Sequence, residues 1–166
     1  MDEVASSMDN PVSSQDFRMA MGLFATGVTV VTTKGHDHVH GMTASAFTSV
    51  SLDPPLILIS IDKRAECHGL ILKNRDFAVN ILREDQESVS RQFAGKVDKS
   101  LFDAAQFEWV RDTPMITQCL CSIGCTLWAN YDGGDHTLFV GKVQSLQVRG
   151  AENPLLYFRS GYRKLG

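Results

Sequence analysis

No stretch of this chain approaches the ~20 consecutive apolar residues that a helix needs to cross a bilayer. Its first residues, "MDEVASSMDNPVSS", are acidic and polar where a secretory signal is basic and then apolar. The expectation is a cytoplasmic protein with no membrane segment. A basic block is missing too: 16 Lys plus Arg stand against 19 Asp plus Glu, for a net charge of -3. Nothing here neutralises a run of phosphates, which excludes nucleic acid as the partner. Cysteine is scarce. The four, Cys67, Cys119, Cys121 and Cys125, do not make a disulfide framework in 166 residues, and a reducing compartment leaves them as thiols. There is also no G-x-G-x-x-G between a strand and a helix, so any dinucleotide must be held by some device other than a Rossmann turn.

Two short motifs invite a metal reading. "CLCSIGC" has the spacing C-x-C-x3-C, unlike the C-x2-C pairs of zinc sites. Its Cys119 and Cys121 are expected on one face of a strand, as small buried hydrophobes. In "HDHVH", His36, His38 and His40 alternate and could share a strand face, but the position between two apolar strands favours an exposed hairpin end. Neither motif is read as a metal site.

What the chain does contain is enough apolar sequence for one core; at this length about two-thirds of the unfolded surface can be buried. Residues 1–12 read as a flexible arm and 13–166 as a single domain. "SSQDFRMAMGLFATG" predicts an amphipathic helix: Ser13 and Asp16 form a capping box, Phe17, Ala20, Met21 and Phe24 share a face, and Gly27 ends it. Val28 to Thr33 is a β-branched strand, paired in a hairpin with a strand from Val39 to Ala46. "PLILISI" is a third strand, apolar on both faces and therefore central. A short helix from Arg64 to Lys73 follows, then the strand "DFAVNIL" with Phe77, Val79 and Ile81 on one face, then a helix in "EDQESVSRQFAG" closed by Gly95. The stretch from Lys96 to Ile116 reads as loop with one helical turn near residues 100–105, and Pro114 precedes the next strand. Thr117–Asn130 and His136–Gln147 are two long strands joined by the turn "YDGGD", and "PLLYFRSGYRKLG" supplies a last one. Six or seven strands with two or three helices, in no regular βαβ order, predict a mainly β protein: an antiparallel barrel with flanking helices.

One segment needs a chemical explanation. "GMTASAFTSVSLDPPLILISI" spends Thr43, Ser45, Thr48, Ser49 and Ser51 on hydroxyls beside a run of branched apolar residues. Either backbone elsewhere satisfies them, which is where most side-chain hydrogen bonds go, or a ligand does.

The segments "ATGVTVVTT", "GMTASAFTSVSLDPPLILISI", "FAVNIL", "SRQFAG", "GGDHTLFVGKV" and "PLLYFRSGYR" occur together in an order and spacing that resembles the flavin reductase-like, FMN-binding split-barrel proteins, over residues 13–163. The resemblance implies a homodimeric antiparallel split β-barrel. Such a protein reduces FMN or FAD with NADH or NADPH and passes the reduced flavin to a separate monooxygenase. It further implies that Thr43, Ala44 and Ser45 contact the isoalloxazine and ribityl chain, as small residues let backbone and donors approach a flat, polar-edged ring. Ser60, Asp62, Lys63, Ala65 and Cys67 correspond to the phosphate-binding loop, with Lys63 and Arg64 as its positive charge. Family members commonly carry Ser or Thr where Ala65 and Cys67 stand, so this chain lacks two hydroxyls there. Phe93 and Tyr162 match aromatics near the stacked rings. His136 and Tyr162 are implied to bind NAD(P)H, with His136 at the mouth of the pocket rather than along the phosphate loop.

Hydride transfer between nicotinamide C4 and flavin N5 needs stacking and charge stabilisation rather than a protein acid or base. No activated nucleophile or carboxylate pair is visible in the sequence, which suits that chemistry, and no residue is assigned a catalytic proton. Three alternatives stay open: an electron carrier that retains its FMN, a split barrel acting on pyridoxamine phosphate or haem, and a ligand-binding module without enzymatic activity.

Overall fold

The computed structural model describes residues 11–95 and 106–166. The expected arm lies outside the described residues except for its last two positions, and the helical turn expected near residues 100–105 lies outside them entirely. In chain order the elements are α1 (Ser14–Met21), β1 (Thr26–Gly27), β2 (Thr29–Lys34), β3 (Val39–Ala44), β4 (Phe47–Leu52), β5 (Pro55–Asp62), α2 (Glu66–Asn74), β6 (Asp76–Ile81), α3 (Glu87–Ala94), β7 (Phe107–Val110), β8 (Thr113–Ile116), β9 (Cys121–Gly133), β10 (His136–Val148), β11 (Leu156–Phe158) and β12 (Gly161–Arg163).

Seven strands form one sheet in the order β3-β2-β6-β9-β10-β5-β4, with every neighbouring pair antiparallel. The ends of this sheet curl toward each other where β3 leads into β4: the Ser60 N–H donates to the Ala46 carbonyl at 3.2 Å. Inside it, Val31, Ile57, Ile59, Ile61, Phe77, Val79 and Phe139 pack as one core, with Cys67 and Ile71 of α2 joining it. A second cluster, around Val28, Val30, Leu82, Phe93, Phe107 and Leu155, packs against the other face of β2. The mainly β, antiparallel architecture is therefore the expected one. Among the described residues no helix is long and apolar enough to cross a membrane.

Several local expectations need correction. α1 starts at the predicted cap, where Ser13 Oγ accepts the Asp16 N–H at 3.0 Å, but it ends at Gly22, because the chain turns there into β1. Its apolar face is not core: Phe17 is 56% and Phe24 76% exposed. β5 alternates, with Ile57, Ile59 and Ile61 buried and Leu56, Leu58 and Ser60 partly exposed; β2, β6 and the short β8 are instead buried along most or all of their length, on both faces. β4 is an edge strand rich in Ser and Thr, and its hydroxyls hid it from a hydrophobic pattern. β7 and β8 form a hairpin where a loop was expected, and Pro114 lies within β8, opposite Trp109, in a two-stranded sheet where a missing N–H is tolerated. The last strand is two, split by a turn at Arg159 and Ser160 with φ of 48° and 56°.

The "YDGGD" turn is as predicted: Gly134 has a φ of 79°, which a glycine adopts without steric cost. Cys119 precedes β9 while Cys121 opens it, so the two do not share a strand face; Cys119 and Cys125 are buried and all four cysteines are free thiols. His36 and His38 are exposed in the β2–β3 connection, whereas His40 is buried in β3 with Nδ1 3.5 Å from Glu66 Oε2. No three His, Cys, Asp or Glu among the described residues are grouped to hold a metal ion.

Candidate flavin site

Thr43, at the end of β3, faces α3 because its neighbours Met42 and Ala44 turn toward the barrel core. Its Oγ1 donates to the Ser90 carbonyl at 2.6 Å, which joins the strand to the helix. The Ser90 hydroxyl lies 2.8 Å from the Tyr162 hydroxyl, which carries the same connection on to β12. Between these three elements lies a cavity of about 370 Å³, lined by Met42, Thr43, Ser45, Ser90, Phe93, Tyr157 and Tyr162 among others. Tyr157 and Tyr162 meet edge to face at 5.4 Å, and the Arg91 guanidinium sits 4.9 Å above the Tyr162 ring, itself paired with Glu87 at 2.6 Å. The walls are thus aromatic and the rim carries hydroxyls, in the volume range of small-molecule sites. That composition suits a flat ring with polar edges.

The hydroxyls of the segment that begins at Thr43 divide between protein partners and the cavity. Thr43 and Thr48 are satisfied by backbone carbonyls, of Ser90 and of Ser49. Ser45 is exposed on the cavity wall. Ala44 turns its side chain into the core, which leaves only its main chain for a ligand.

Ser60, Asp62, Lys63 and Ala65 follow at the end of β5 and in the turn into α2. Asp62 accepts hydrogen bonds from the Arg64 side chain, at 3.1 Å from Nε and 2.7 Å from Nη2, and from the Arg64 N–H at 2.8 Å. Those bonds, the side-chain ones foremost, hold the Asp62 carboxyl well below the usual carboxylate range. Lys63 Nζ donates to Asp132 Oδ1 at 2.5 Å and to the Gly134 carbonyl at 2.6 Å, so the β5–α2 turn is tied to the tip of the β9–β10 hairpin. The Lys63 ammonium lowers the Asp132 pKa in turn. Cys67 is fully buried in the barrel core, so its thiol does not face this loop.

His136 is directly opposite Asp62 in the β10–β5 register, and its Nδ1 lies 2.7 Å from Asp135 Oδ1. It stands beside the loop and is not among the residues that line the cavity, because the hairpin turn brings the start of β10 back against the end of β5. The sequence-predicted residues therefore fall in two groups. Thr43, Ser45, Phe93 and Tyr162 line the cavity; Asp62, Lys63 and His136 gather at the loop, and Ser60 links them through its N–H to Ala46. Sequence reasoning missed Ser90, Tyr157, Asp132 and His68, whose Nε2 lies 2.8 Å from Thr137 Oγ1. Ser90 lies inside "SRQFAG" and Asp132 inside "YDGGD", but nothing in either segment's local pattern marks these two residues for a site.

The family model of the flavin reductase like domain matches residues 21–166. The chain belongs to the flavin reductase like domain family. An NADH-dependent flavin reductase of Rhodococcus sp is 43% identical over 168 residues, covering 99% of this chain and 94% of that protein. The reductase component of 4-hydroxyphenylacetate 3-monooxygenase from Thermus thermophilus is 37% identical, over 90% of this chain and 95% of its own. Among solved structures, flavin reductase PheA2 in its native state superposes with a TM-score of 0.86 at 44% identity, covering 93% of this chain and 99% of that one. The NADH:FAD oxidoreductase SgcE6 of Streptomyces globisporus C-1027, in complex with NAD and FAD fragments, gives a TM-score of 0.85 at 35% identity, over 95% and 97% of the two chains. This flavin reductase like domain thus matches these relatives over nearly their whole length.

Proposed function

We propose that this chain is an NADH-dependent flavin reductase that supplies reduced FMN or FAD to a separate monooxygenase. The observation that carries the reading is near full-length similarity, at 43% identity, to an NADH-dependent flavin reductase. A bound flavin supplies the hydride acceptor, and nicotinamide the donor. The protein's part is positioning. Phe93, Tyr157 and Tyr162 offer flat walls for ring stacking, Thr43 and Ser45 meet the flavin edge, and Ser90 keeps Tyr162 against α3. The phosphate end of the flavin lies beside the loop of Ser60, Asp62, Lys63 and Ala65, whose cations are already paired with Asp132 and Asp62, and Cys67 offers main chain only. His136 orients the nicotinamide from the adjoining hairpin tip.

A homodimer belongs to the same reading. Leu52 is 95% exposed and Val148 76%, and the apolar side of α1 has no cover among the described residues, so a second copy would bury surface that one copy leaves in water. The test of the function is NADH consumption by the purified protein with and without added flavin. A rate that depends on added flavin supports a reductase; flavin-independent or absent oxidation points to a carrier or a non-enzymatic binder.

A further inference from the structure

The cations of the β5–α2 turn are already engaged. Lys63 is held by Asp132 and Gly134 of the hairpin tip, and Arg64 by Asp62. Asp135, bonded to His136, adds a third carboxylate, whose charge acts on Arg64. Ala65 brings no polar side chain, and Cys67 is turned into the core. A phosphate arriving here would exchange one charge-assisted pair for another, with little net gain, against the field of neighbouring carboxylates.

We propose that Asp132 determines how this enzyme chooses among flavins: by holding Lys63 it masks a cation that would otherwise reward a phosphate, so riboflavin and FMN bind alike. The inference rests on the reading of the chain as a flavin reductase. It assigns Asp132 a positioning role exerted through Lys63. Specificity is a difference between two affinities, and a counter-ion on the protein lowers one of them without touching the ring site. With the Asp132 charge removed, Lys63 stays aimed by the Gly134 carbonyl but is no longer neutralised.

The experiment measures the dissociation constants of FMN and riboflavin by quenching of flavin fluorescence, together with kcat/KM for each. In the unaltered protein the two flavins should differ by less than about three-fold, below 1 kcal/mol. Asp132→Asn should raise the preference for FMN by about ten-fold, and Lys63→Met in that background should abolish the gain. Asp132→Ser should behave as Asp132→Asn, which separates loss of charge from any effect of the amide. Asp132 is 79% exposed at its side chain, so these substitutions leave the core intact. An unchanged FMN-to-riboflavin ratio in both variants, or a gain that survives Lys63→Met, overturns the proposal. Absence of binding and turnover with either flavin in the unaltered protein would instead overturn the reductase reading itself, and the proposal with it.

Discussion

Gly41 on β3 lies against the Phe93 ring of α3: a Cβ at position 41 would stand 2.4 Å from Phe93 Cε1 and 2.6 Å from Cδ1. The glycine is what lets the helix close over the strand, and Phe93 in turn forms a wall of the cavity.

Gly41→Ala should therefore push the Phe93 ring out of place. The expected outcome is a flavin dissociation constant raised about ten-fold, with a stability loss of about 1–3 kcal/mol from overpacking. Fluorescence quenching and denaturant melts measure the two. Unchanged flavin binding in a folded variant would show that Phe93 does not shape the ring site.

A second prediction concerns Asn80, which is fully buried on β6. Its Nδ2 donates to the Val30 carbonyl and to Thr32 Oγ1, and its Oδ1 accepts from the Ile116 N–H and the Ser122 hydroxyl. Four elements, β2, β6, β8 and β9, meet at this one amide. Asn80→Ala strands the Ile116 N–H and opens a cavity, so unfolding free energy should fall by about 3 kcal/mol or more. A loss under about 1 kcal/mol in urea melts would mean that water replaces the amide.

The thiols give a third. Burial pushes the Cys125 thiol up to about 12 and also raises Cys119 and Cys121. Since only the thiolate reacts, alkylation of native protein near pH 8 should be slow at these positions and become fast on denaturation. Mass spectrometry of timed samples checks this. Rapid native labelling of Cys125 would place it outside the core.

The barrel was legible in the sequence where one physical signal dominates. The β-branched run of β2, the alternation in β6 and the glycine turn between β9 and β10 each left one reading. The misses arose where a residue's environment comes from a distant element. β4 looked polar because its hydroxyls face outward on an edge strand, and Pro114 looked like a boundary because nothing local shows a two-stranded hairpin. The cavity residues were legible only through resemblance: Thr43 meets Ser90 across 47 residues, a pairing no local pattern carries. His136 shows the limit well. Its turn was visible, but its place opposite Asp62 depends on the register of β10 with β5.

A reductase of this kind turns over flavin and releases the reduced product. The most direct measurement of this turnover is anaerobic: a catalytic amount of protein is mixed with excess FMN and NADH, and the loss of the yellow flavin absorbance is followed. Many equivalents of flavin per protein chain should be bleached, at a rate proportional to protein concentration. Bleaching that stops near one equivalent, or none above the protein-free control, would contradict it.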